Sequence, residues 1–258
     1  MPGSDSGSAQ TGRNSGTPVA LITGAARRVG AEVARTLHQA GINLALHYRR
    51  SKGPAQALAD ELHASRPDSV FLVSGNLLEL DIIPALIEDT VAHFGRLDYL
   101  INNASSFYPT PIGEISPAHW DDLIGTNLRA PLFLAQAAAP HLRRSHGAIV
   151  NMVDIHADRP LKDHSVYVIA KAGVAMLTRS LARELGPEVR CNGIAPGAIL
   201  WPENGLSDAD RQQMLDHIPL ARRGDPADIA STMLFLLRDA DYISGQVLAV
   251  DGGRSVVS

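Results

Sequence analysis

Short apolar runs alternate with longer stretches of helical periodicity along most of the chain. The first run, Val19–Thr23, is apolar in character throughout, which is typical of a strand buried on both faces of a sheet. The later strands are predicted over Ile42–Tyr48, Ser69–Val73, Leu97–Asn102, Ala148–Val153, Val189–Ile194 and Gln246–Val250. The predicted helices are Val29–Gln39, Pro54–Ala64, Leu80–Phe94, Pro117–Leu142 with a bend around Pro131, Ser165–Leu185, Ser207–His217 and Pro226–Leu237.

The repeated strand–helix–strand units predict an α/β fold. We expect a single-domain, Rossmann-type, doubly wound parallel sheet of about seven strands with helices on both faces. Ligands of such sheets bind beyond the carboxyl ends of the strands, where Thr23, Asn102 and Asp154 fall. Nothing resembles a linker to a second domain, so residues 18–258 are predicted to form one domain. Residues 1–17 are almost devoid of apolar side chains and are predicted to be a disordered tail.

Composition narrows the class of protein further. The 258 residues are 45% hydrophobic and 19% charged, which is typical of a globular protein. A net charge of −4 gives no sign of nucleic-acid or membrane binding, and no apolar run is long enough to span a membrane. The single cysteine, Cys191, excludes an intrachain disulfide and suits a reducing compartment, so we expect a cytoplasmic protein. Since no His/Cys cluster has metal-ligand spacing, no metal site is predicted.

The turn after the first strand has features of a phosphate-binding loop. It reads T-G-A-A-R-R-V-G, from Thr23 to Gly30. Gly24 permits close approach of a ligand to the backbone, and the helix N-terminus behind it attracts phosphate. A stricter motif would have glycine where Arg28 stands, but this arginine adds a cation beside the expected phosphates. The alternative is a plain strand-to-helix turn with Arg27 and Arg28 exposed to solvent.

The end of the second strand indicates which dinucleotide would bind. This segment reads H-Y-R-R-S, from His47 to Ser51. Sheets that select NAD carry Asp or Glu here to hold the ribose 2′-hydroxyl. Arg49, Arg50 and Ser51 instead suit a 2′-phosphate, so NADP(H) is favoured over NAD(H). A solvated basic loop is the alternative interpretation.

Three side chains in the second half of the chain suggest acid–base chemistry. Tyr167 and Lys171 lie four residues apart and would share one face of a helix. A lysine near a tyrosine favours the phenolate, so Lys171 is expected to lower the pKa of Tyr167 and make it a better proton donor. Asp154 follows the apolar run Ala148–Val153. Taken alone, the Tyr–Lys pair also fits an ordinary surface helix.

Together these motifs resemble the short-chain dehydrogenase/reductases. The resemblance rests on the Gly24 turn, Asn102-Asn103-Ala104, Asn127, Tyr167-x-x-x-Lys171 and Pro196-Gly197, and it runs from about Pro18 to Gly253. Within that superfamily the sequence is similar to the pteridine reductases. Three departures from the usual pattern carry this narrower resemblance: Arg28, Asp154 where most members have serine, and N-N-A-S-S-F-Y-P-T-P from Asn102 to Pro111.

The resemblance implies an NADPH-dependent enzyme that reduces dihydropterins, among them dihydrobiopterin, dihydromonapterin or dihydrofolate, to their tetrahydro forms. Tyr167 would donate the proton, and Asp154 would orient Tyr167 and bind the substrate. Lys171 would hold the nicotinamide ribose. Asn127 would support a network of water and Lys171. A homotetramer is also implied. The implied cofactor site comprises Gly24, Arg28, Val29, Gly30, His47, Tyr48, Arg49, Arg50, Ser51, Asn76, Leu77, Asn103, Ala104, Ser105, Tyr167, Lys171, Pro196 and Gly197.

The same resemblance implies a pterin site. Phe107 would stack on the pterin ring, Ser105 would contact pterin and cofactor, and Arg28 would bridge the pyrophosphate and the substrate. Leu200 and Trp201 are candidates for the pocket around the pterin side chain, although an exposed or a core position fits them equally well. The implied substrate site is therefore Arg28, Ser105, Phe107, Asp154, Tyr167, Leu200 and Trp201.

Two other functions stay open at this point. A carbonyl reductase of the 3-oxoacyl-carrier-protein or sugar-alcohol type would have the same fold, but Asp154 and Phe107 argue against it. A nucleotide-sensing regulator without turnover is the second alternative. Because a pure binding protein has no evident need for an acid, the intact set of Asn127, Tyr167 and Lys171 argues against it.

Overall fold

A computed structural model describes residues 16–200 and 207–257 of the chain. The predicted tail, residues 1–17, lies almost entirely outside this range, and Trp201 lies outside it as well. Each predicted strand is present, with ends that differ from the prediction by a few residues at most. The strands are β1 (Val19–Ile22), β2 (Asn43–Tyr48), β3 (Val70–Ser74), β4 (Tyr99–Asn102), β5 (Ala148–Met152), β6 (Arg190–Pro196) and β7 (Val247–Val250).

The helices alternate with these strands as the periodicity predicts. Two short 3₁₀ turns, Ile155–Ala157 and Arg254–Val256, follow β5 and β7. The α-helices of the described residues are α1 (Arg28–Gln39), α2 (Lys52–Ser65), α3 (Ile82–Phe94), α4 (Pro117–Ile124), α5 (Ala130–Ser145), α6 (Ser165–Leu185), α7 (Asp208–Asp216) and α8 (Pro226–Arg238).

All seven strands join one parallel sheet in the order β3-β2-β1-β4-β5-β6-β7. The predicted doubly wound α/β fold is confirmed. The strand order reverses between β1 and β4, which pair directly, with Ile22 opposite Ile101. The segments that follow these two strands therefore emerge side by side at the carboxyl edge of the sheet, where such folds bind their ligands.

The core lies on both faces of the sheet, as parallel strands require. Alternate residues of β1 point into different apolar clusters, Ala20 and Ile22 into one, Val19 and Leu21 into the other. Helices α1, α2 and α8 cover the first face, whereas α3, α5 and α6 cover the second. Because both faces are buried, the strands read as continuous apolar runs rather than as alternating patterns.

The long helix predicted over Pro117–Leu142 is interrupted earlier than expected. A five-residue π-helical turn, Gly125–Arg129, separates α4 from α5, and Pro131 is already the second residue of α5. The widened turn is closed by the Ala130 N–H, which donates to the carbonyl of Gly125, five residues back. Proline has no N–H to continue the α-helical pattern, so the irregularity falls in the turn before it. This turn carries Asn127.

Candidate active site

A cleft of about 880 Å³ opens at the carboxyl edge of the sheet. Asn127 is not in its wall, and Trp201 lies outside the described residues. The other predicted site residues line it together: Gly24, Arg28, Val29, Gly30, His47, Tyr48, Arg49, Arg50, Ser51, Asn76, Leu77, Asn103, Ala104, Ser105, Phe107, Asp154, Tyr167, Lys171, Pro196, Gly197 and Leu200.

Two glycines shape the turn after β1 because no side chain fits at either position. Gly24 has φ +62°, and a Cβ there would lie 3.0 Å from the Cα of Ala104. A Cβ on Gly30 would lie 2.5 Å from the carbonyl oxygen of Gly24. The Asn103 side chain then fixes the turn, since its Nδ2 donates to the carbonyls of Thr23 (2.8 Å) and Gly24 (3.0 Å). The cradle that the motif predicts is therefore built by close backbone contact.

Arg28 adopts the left-handed backbone conformation expected of a glycine. Its φ is 55°, whereas its neighbour Arg27 is extended at φ −149°. For a residue with a Cβ this conformation costs about 1–2 kcal/mol. The guanidinium group lies in the wall of the cleft. Strained backbone of this kind persists where the rest of the structure imposes it, and such positions cluster at functional sites.

His47 supports the same turn from beneath. The Gly24 N–H donates to its Nδ1 at 3.3 Å, so the ring proton lies on Nε2, which donates to the carbonyl of Gly75 at 3.1 Å. Burial lowers the pKa of His47 to about 4, although its bond to Gly75 opposes this. The imidazole is therefore neutral and holds the turn against the end of β3.

The cleft fits a phosphate-bearing dinucleotide. Its backbone cradle leaves a space that any Cβ would fill, and four of the five described arginines in its wall come from the segments that follow β1 and β2. Among the lining residues that the structure describes, Asp154 is the sole carboxylate, so no acidic side chain occupies the end of β2, where NAD-selective proteins carry one. The four guanidinium groups belong to Arg27, Arg28, Arg49 and Arg50.

The centre of the cleft is a hydrogen bond between a phenol and a carboxylate. The Tyr167 hydroxyl donates to Oδ2 of Asp154 at 2.7 Å, and Oδ1 accepts from the His156 N–H at 2.8 Å. Lys171 lies one helical turn beyond Tyr167, as predicted, and its Nζ donates to the Met152 carbonyl at 2.8 Å. The Tyr167 and Lys171 side chains are both buried.

The expected effect of Lys171 on Tyr167 is wrong for the free protein. The pKa of Tyr167 is raised, first by burial and then by the charge of Asp154 and its hydrogen bond. The ammonium group is 5.6 Å from the centre of the phenol ring, whereas the carboxylate touches the hydroxyl. Burial also lowers the pKa of Lys171 to about 8, opposed by the attraction of Asp154. Tyr167 is therefore fully protonated at neutral pH and able to act as an acid.

Asn127 acts one layer behind the cleft wall. Its Oδ1 accepts from the Ser105 hydroxyl at 2.6 Å, and its Nδ2 donates to the carbonyls of Ser106 and Leu123, each at 2.9 Å. The Lys171 Nζ donates to the Met152 carbonyl, and the predicted support by Asn127 of a network of water and Lys171 stays a prediction. In the described structure Asn127 fixes the Ser105–Ser106 segment, and the π-helical turn orients the Asn127 side chain towards that segment.

Phe107 presents an aromatic surface to the cleft. Its side chain is 57% exposed, so Phe107 is not an ordinary core residue. One face is stacked on the imidazole of His164, with centroids 4.7 Å apart and planes 17° from parallel. The ring also meets Tyr167 edge to face at 4.8 Å. A flat ligand beside Tyr167 would therefore find an aromatic platform already oriented.

The sequence motifs missed several residues around this end of the cleft. His164 precedes α6 without any motif to mark it. Arg159, which follows Asp154 by five residues, donates to the carbonyl of Val257 at 2.6 Å and ties the C-terminal segment to the site. No pattern relates residues so distant in the chain. Further lining residues that the motifs did not identify are Leu161, Ile199, Met214 and Arg254.

Comparisons with known proteins agree with this geometry. Residues 24–255 match a family model described as enoyl-(acyl carrier protein) reductase. The 3-oxoacyl-[acyl-carrier-protein] reductase FabG of Staphylococcus aureus is 40% identical over 241 residues, covering 92% of this chain and 98% of the relative. Pteridine reductase 1 of Leishmania tarentolae is 36% identical over 280 residues, covering 93% and 96%.

The fold and the Tyr–Lys site thus define an oxidoreductase that uses a nicotinamide dinucleotide. The chain belongs to the short-chain dehydrogenase/reductase family. Within the described part of the chain, no helix combines the length and apolar character needed to cross a membrane.

Replacing Arg28 with glycine should change the stability of the protein and its affinity for the dinucleotide in opposite directions. We expect Arg28→Gly to raise the free energy of unfolding by about 0.5–1 kcal/mol, because relief of the left-handed strain exceeds the added chain entropy of glycine. Binding of the dinucleotide should weaken, since a cation is lost from the cleft. Urea unfolding and cofactor titration measure the two effects. Arg27→Gly, at an extended position, is the control and should show no gain in stability. An equal gain in this variant would show that the gain in Arg28→Gly does not come from relief of backbone strain.

Burial of Lys171 should make stability depend on pH. Its pKa is about 8 in the folded protein against an ordinary 10.5, so between these values the unfolded chain binds more protons. The free energy of unfolding of the cofactor-free protein should therefore rise from pH about 8 to about 10, relative to Lys171→Met. Urea titrations of both proteins across this range measure the difference. A difference that stays constant with pH would show that the ammonium group is not buried as described.

Proposed function

We propose that this protein is an NADPH-dependent pteridine reductase that converts dihydropterins to their tetrahydro forms. The observation that carries the proposal is the position of the Asp154 carboxylate. It accepts a hydrogen bond of 2.7 Å from the Tyr167 hydroxyl, beside the exposed ring of Phe107. Carbonyl reductases of this family normally carry a serine at the position of Asp154. A carboxylate there adds a charged hydrogen-bond acceptor, which suits a substrate with N–H donors.

Reduction of a C=N bond needs a hydride at carbon and a proton at nitrogen. Bound NADPH supplies the hydride. Tyr167, which is protonated at neutral pH, supplies the proton once a basic ring nitrogen of the substrate replaces Asp154 as the acceptor of its hydrogen bond. A positioned general acid of this kind is typically worth about 10²–10⁴-fold in rate. Asp154 then accepts hydrogen bonds from the polar edge of the pterin, and Lys171, behind Tyr167, is placed to hold the nicotinamide ribose.

The aromatic wall of the cleft suits a flat heterocycle. His164 covers one face of Phe107, so only the other face is available for a ligand. Offset stacking of aromatic rings contributes about 0.5–1.5 kcal/mol beyond the area buried. Asn127 supports this arrangement from behind by holding the two residues that precede Phe107. A pterin stacked on Phe107 would lie with its reacting edge towards Tyr167.

A second candidate is a 3-oxoacyl-carrier-protein reductase. Overall similarity favours it, because the FabG protein of Staphylococcus aureus is 40% identical to this chain and pteridine reductase 1 of Leishmania tarentolae is 36% identical. The substrate-facing residues favour the pterin. Asp154, Phe107 and Arg28 all line the cleft, and all three depart from the common pattern of the superfamily.

A substrate panel tests the choice between these functions. We expect wild-type protein with NADPH to reduce dihydrobiopterin, dihydromonapterin or dihydrofolate faster than acetoacetyl-coenzyme A. Asp154→Ser should lower kcat/KM for pterins by roughly 10–100-fold, the value of a hydrogen bond to a charged group, without a comparable loss on acetoacetyl-coenzyme A. Phe107→Ala should raise KM for the pterin but not for NADPH. Activity confined to the oxoacyl thioester would establish the second candidate instead.

The choice of cofactor rests on the end of β2. Arg49 and Arg50 are exposed in the cleft wall, where a 2′-phosphate of NADPH would lie. We expect kcat/KM to be higher with NADPH than with NADH, and the double change Arg49→Gln/Arg50→Gln to remove roughly 10–100-fold of that preference by weakening charge-assisted contacts. NADH serves as the internal control, since its turnover should not change. Equal turnover with both cofactors in the wild type would refute the assignment.

A further inference from the structure

A fifth arginine of the cleft, Arg254, comes from the C-terminal segment instead of the cofactor-binding turns. It lies in the wall of the catalytic cleft and also in the wall of an adjoining hollow of about 230 Å³. Met214 of α7 lies in both walls as well. Arg254 therefore stands where the cleft adjoins this hollow, on the side of α7.

The backbone on either side of Arg254 is held firmly. The Asp251 carboxylate accepts from the Gly253 N–H at 2.9 Å and from the Ser255 N–H at 2.6 Å. Beyond it, the carbonyl of Val257 accepts from the guanidinium group of Arg159 at 2.6 Å. The segment is thus tied to the loop after β5, which carries Asp154. A side chain on such a support can bind a ligand without a large loss of backbone entropy.

Within the described part of the chain, the charge of Arg254 has no partner. Among the described residues it makes no ion pair, and its half-exposed side chain makes no hydrogen bond. Asp154, the carboxylate of the cleft wall, is engaged by Tyr167 and the His156 N–H. Asp210, the carboxylate of the adjoining hollow, accepts from the Ser207 hydroxyl at 2.6 Å. Neither carboxylate therefore neutralises the guanidinium group.

We propose that Arg254 binds a carboxylate on the substrate's side chain, so that the enzyme selects pterins with an extended acidic tail of the folate type. This inference rests on the proposed pterin reduction. The apolar side chains of Ile199, Leu200 and Met214 lie in the same cleft wall as Arg254. They offer a surface for the uncharged part of such a tail, and the planar guanidinium group matches a carboxylate in bidentate fashion.

The test compares an acidic substrate with an uncharged one. We expect Arg254→Gln to raise KM for dihydrofolate by roughly 10–100-fold, the value of a hydrogen bond to a charged group, and to leave KM for dihydrobiopterin and NADPH unchanged. Arg254→Lys should recover part of the loss. In the wild type, KM for dihydrofolate should rise with added salt, and this dependence should vanish in Arg254→Gln. Arg179→Gln, which removes an exposed arginine of α6 outside the cleft wall, is the matched control.

The possible outcomes separate this inference from the proposed function. If Arg254→Gln affects dihydrofolate and dihydrobiopterin equally, or affects neither, the carboxylate contact is refuted while pterin reduction stands. If the wild type reduces no pterin, the proposed function fails before Arg254 is considered. If Arg254→Gln instead impairs only acetoacetyl-coenzyme A, and not the uncharged N-acetylcysteamine thioester, the anion recognised is a phosphate and the folate-type assignment is overturned.

Discussion

The hydrogen bond from Tyr167 to Asp154 is the interaction around which the candidate active site is built. Asp154 is half-buried, and removing a carboxylate from water is costly unless its oxygens find donors, which here are the phenol and the His156 N–H. The charge of Asp154 in turn raises the pKa of Lys171 against the effect of burial. The charge of Asp154 therefore acts on both the phenol of Tyr167 and the ammonium group of Lys171.

The sheet brings these three side chains together with the cofactor cradle. Asp154 follows β5, while Tyr167 and Lys171 come from the first two turns of α6. The Thr23 hydroxyl, just beyond β1, accepts from the N–H groups of Asn103 (2.9 Å) and Ala104 (3.0 Å). These bonds lock the two segments at the point where the strand order reverses. Hydride donor and proton donor can be adjacent only because parallel strands end at one edge.

Much of this arrangement could be predicted from local patterns. The strands are continuous apolar runs because both faces of the sheet are buried, and Gly24 and Gly30 mark places where the backbone leaves no room for a side chain. An irregularity near Pro131 was predicted, but its π-helical form at Asn127 was not, since a proline does not reveal the size of the hydrogen-bonded ring before it. The pKa of Tyr167 was misjudged because sequence spacing reveals neither its burial, which is the main cause of the raised pKa, nor its hydrogen bond to the Asp154 carboxylate. Arg254 and His164 join the site through tertiary contacts alone.

Overall identity is higher to an oxoacyl reductase than to a pteridine reductase, whereas the proposed pterin reduction rests on a few side chains of the cleft. Most positions that a family shares maintain the sheet, the helices and the dinucleotide cradle, and these are common to oxoacyl and pterin reductases alike. A difference between 40% and 36% identity therefore says little about the few side chains that touch the substrate. The substitution Asp154→Ser would replace a charge with a neutral hydroxyl and leave the buried ammonium group of Lys171 without its counter-charge. It would also change which edge of a substrate can be bound. One carboxylate in the right place thus carries more information about the substrate than many identical residues in the core.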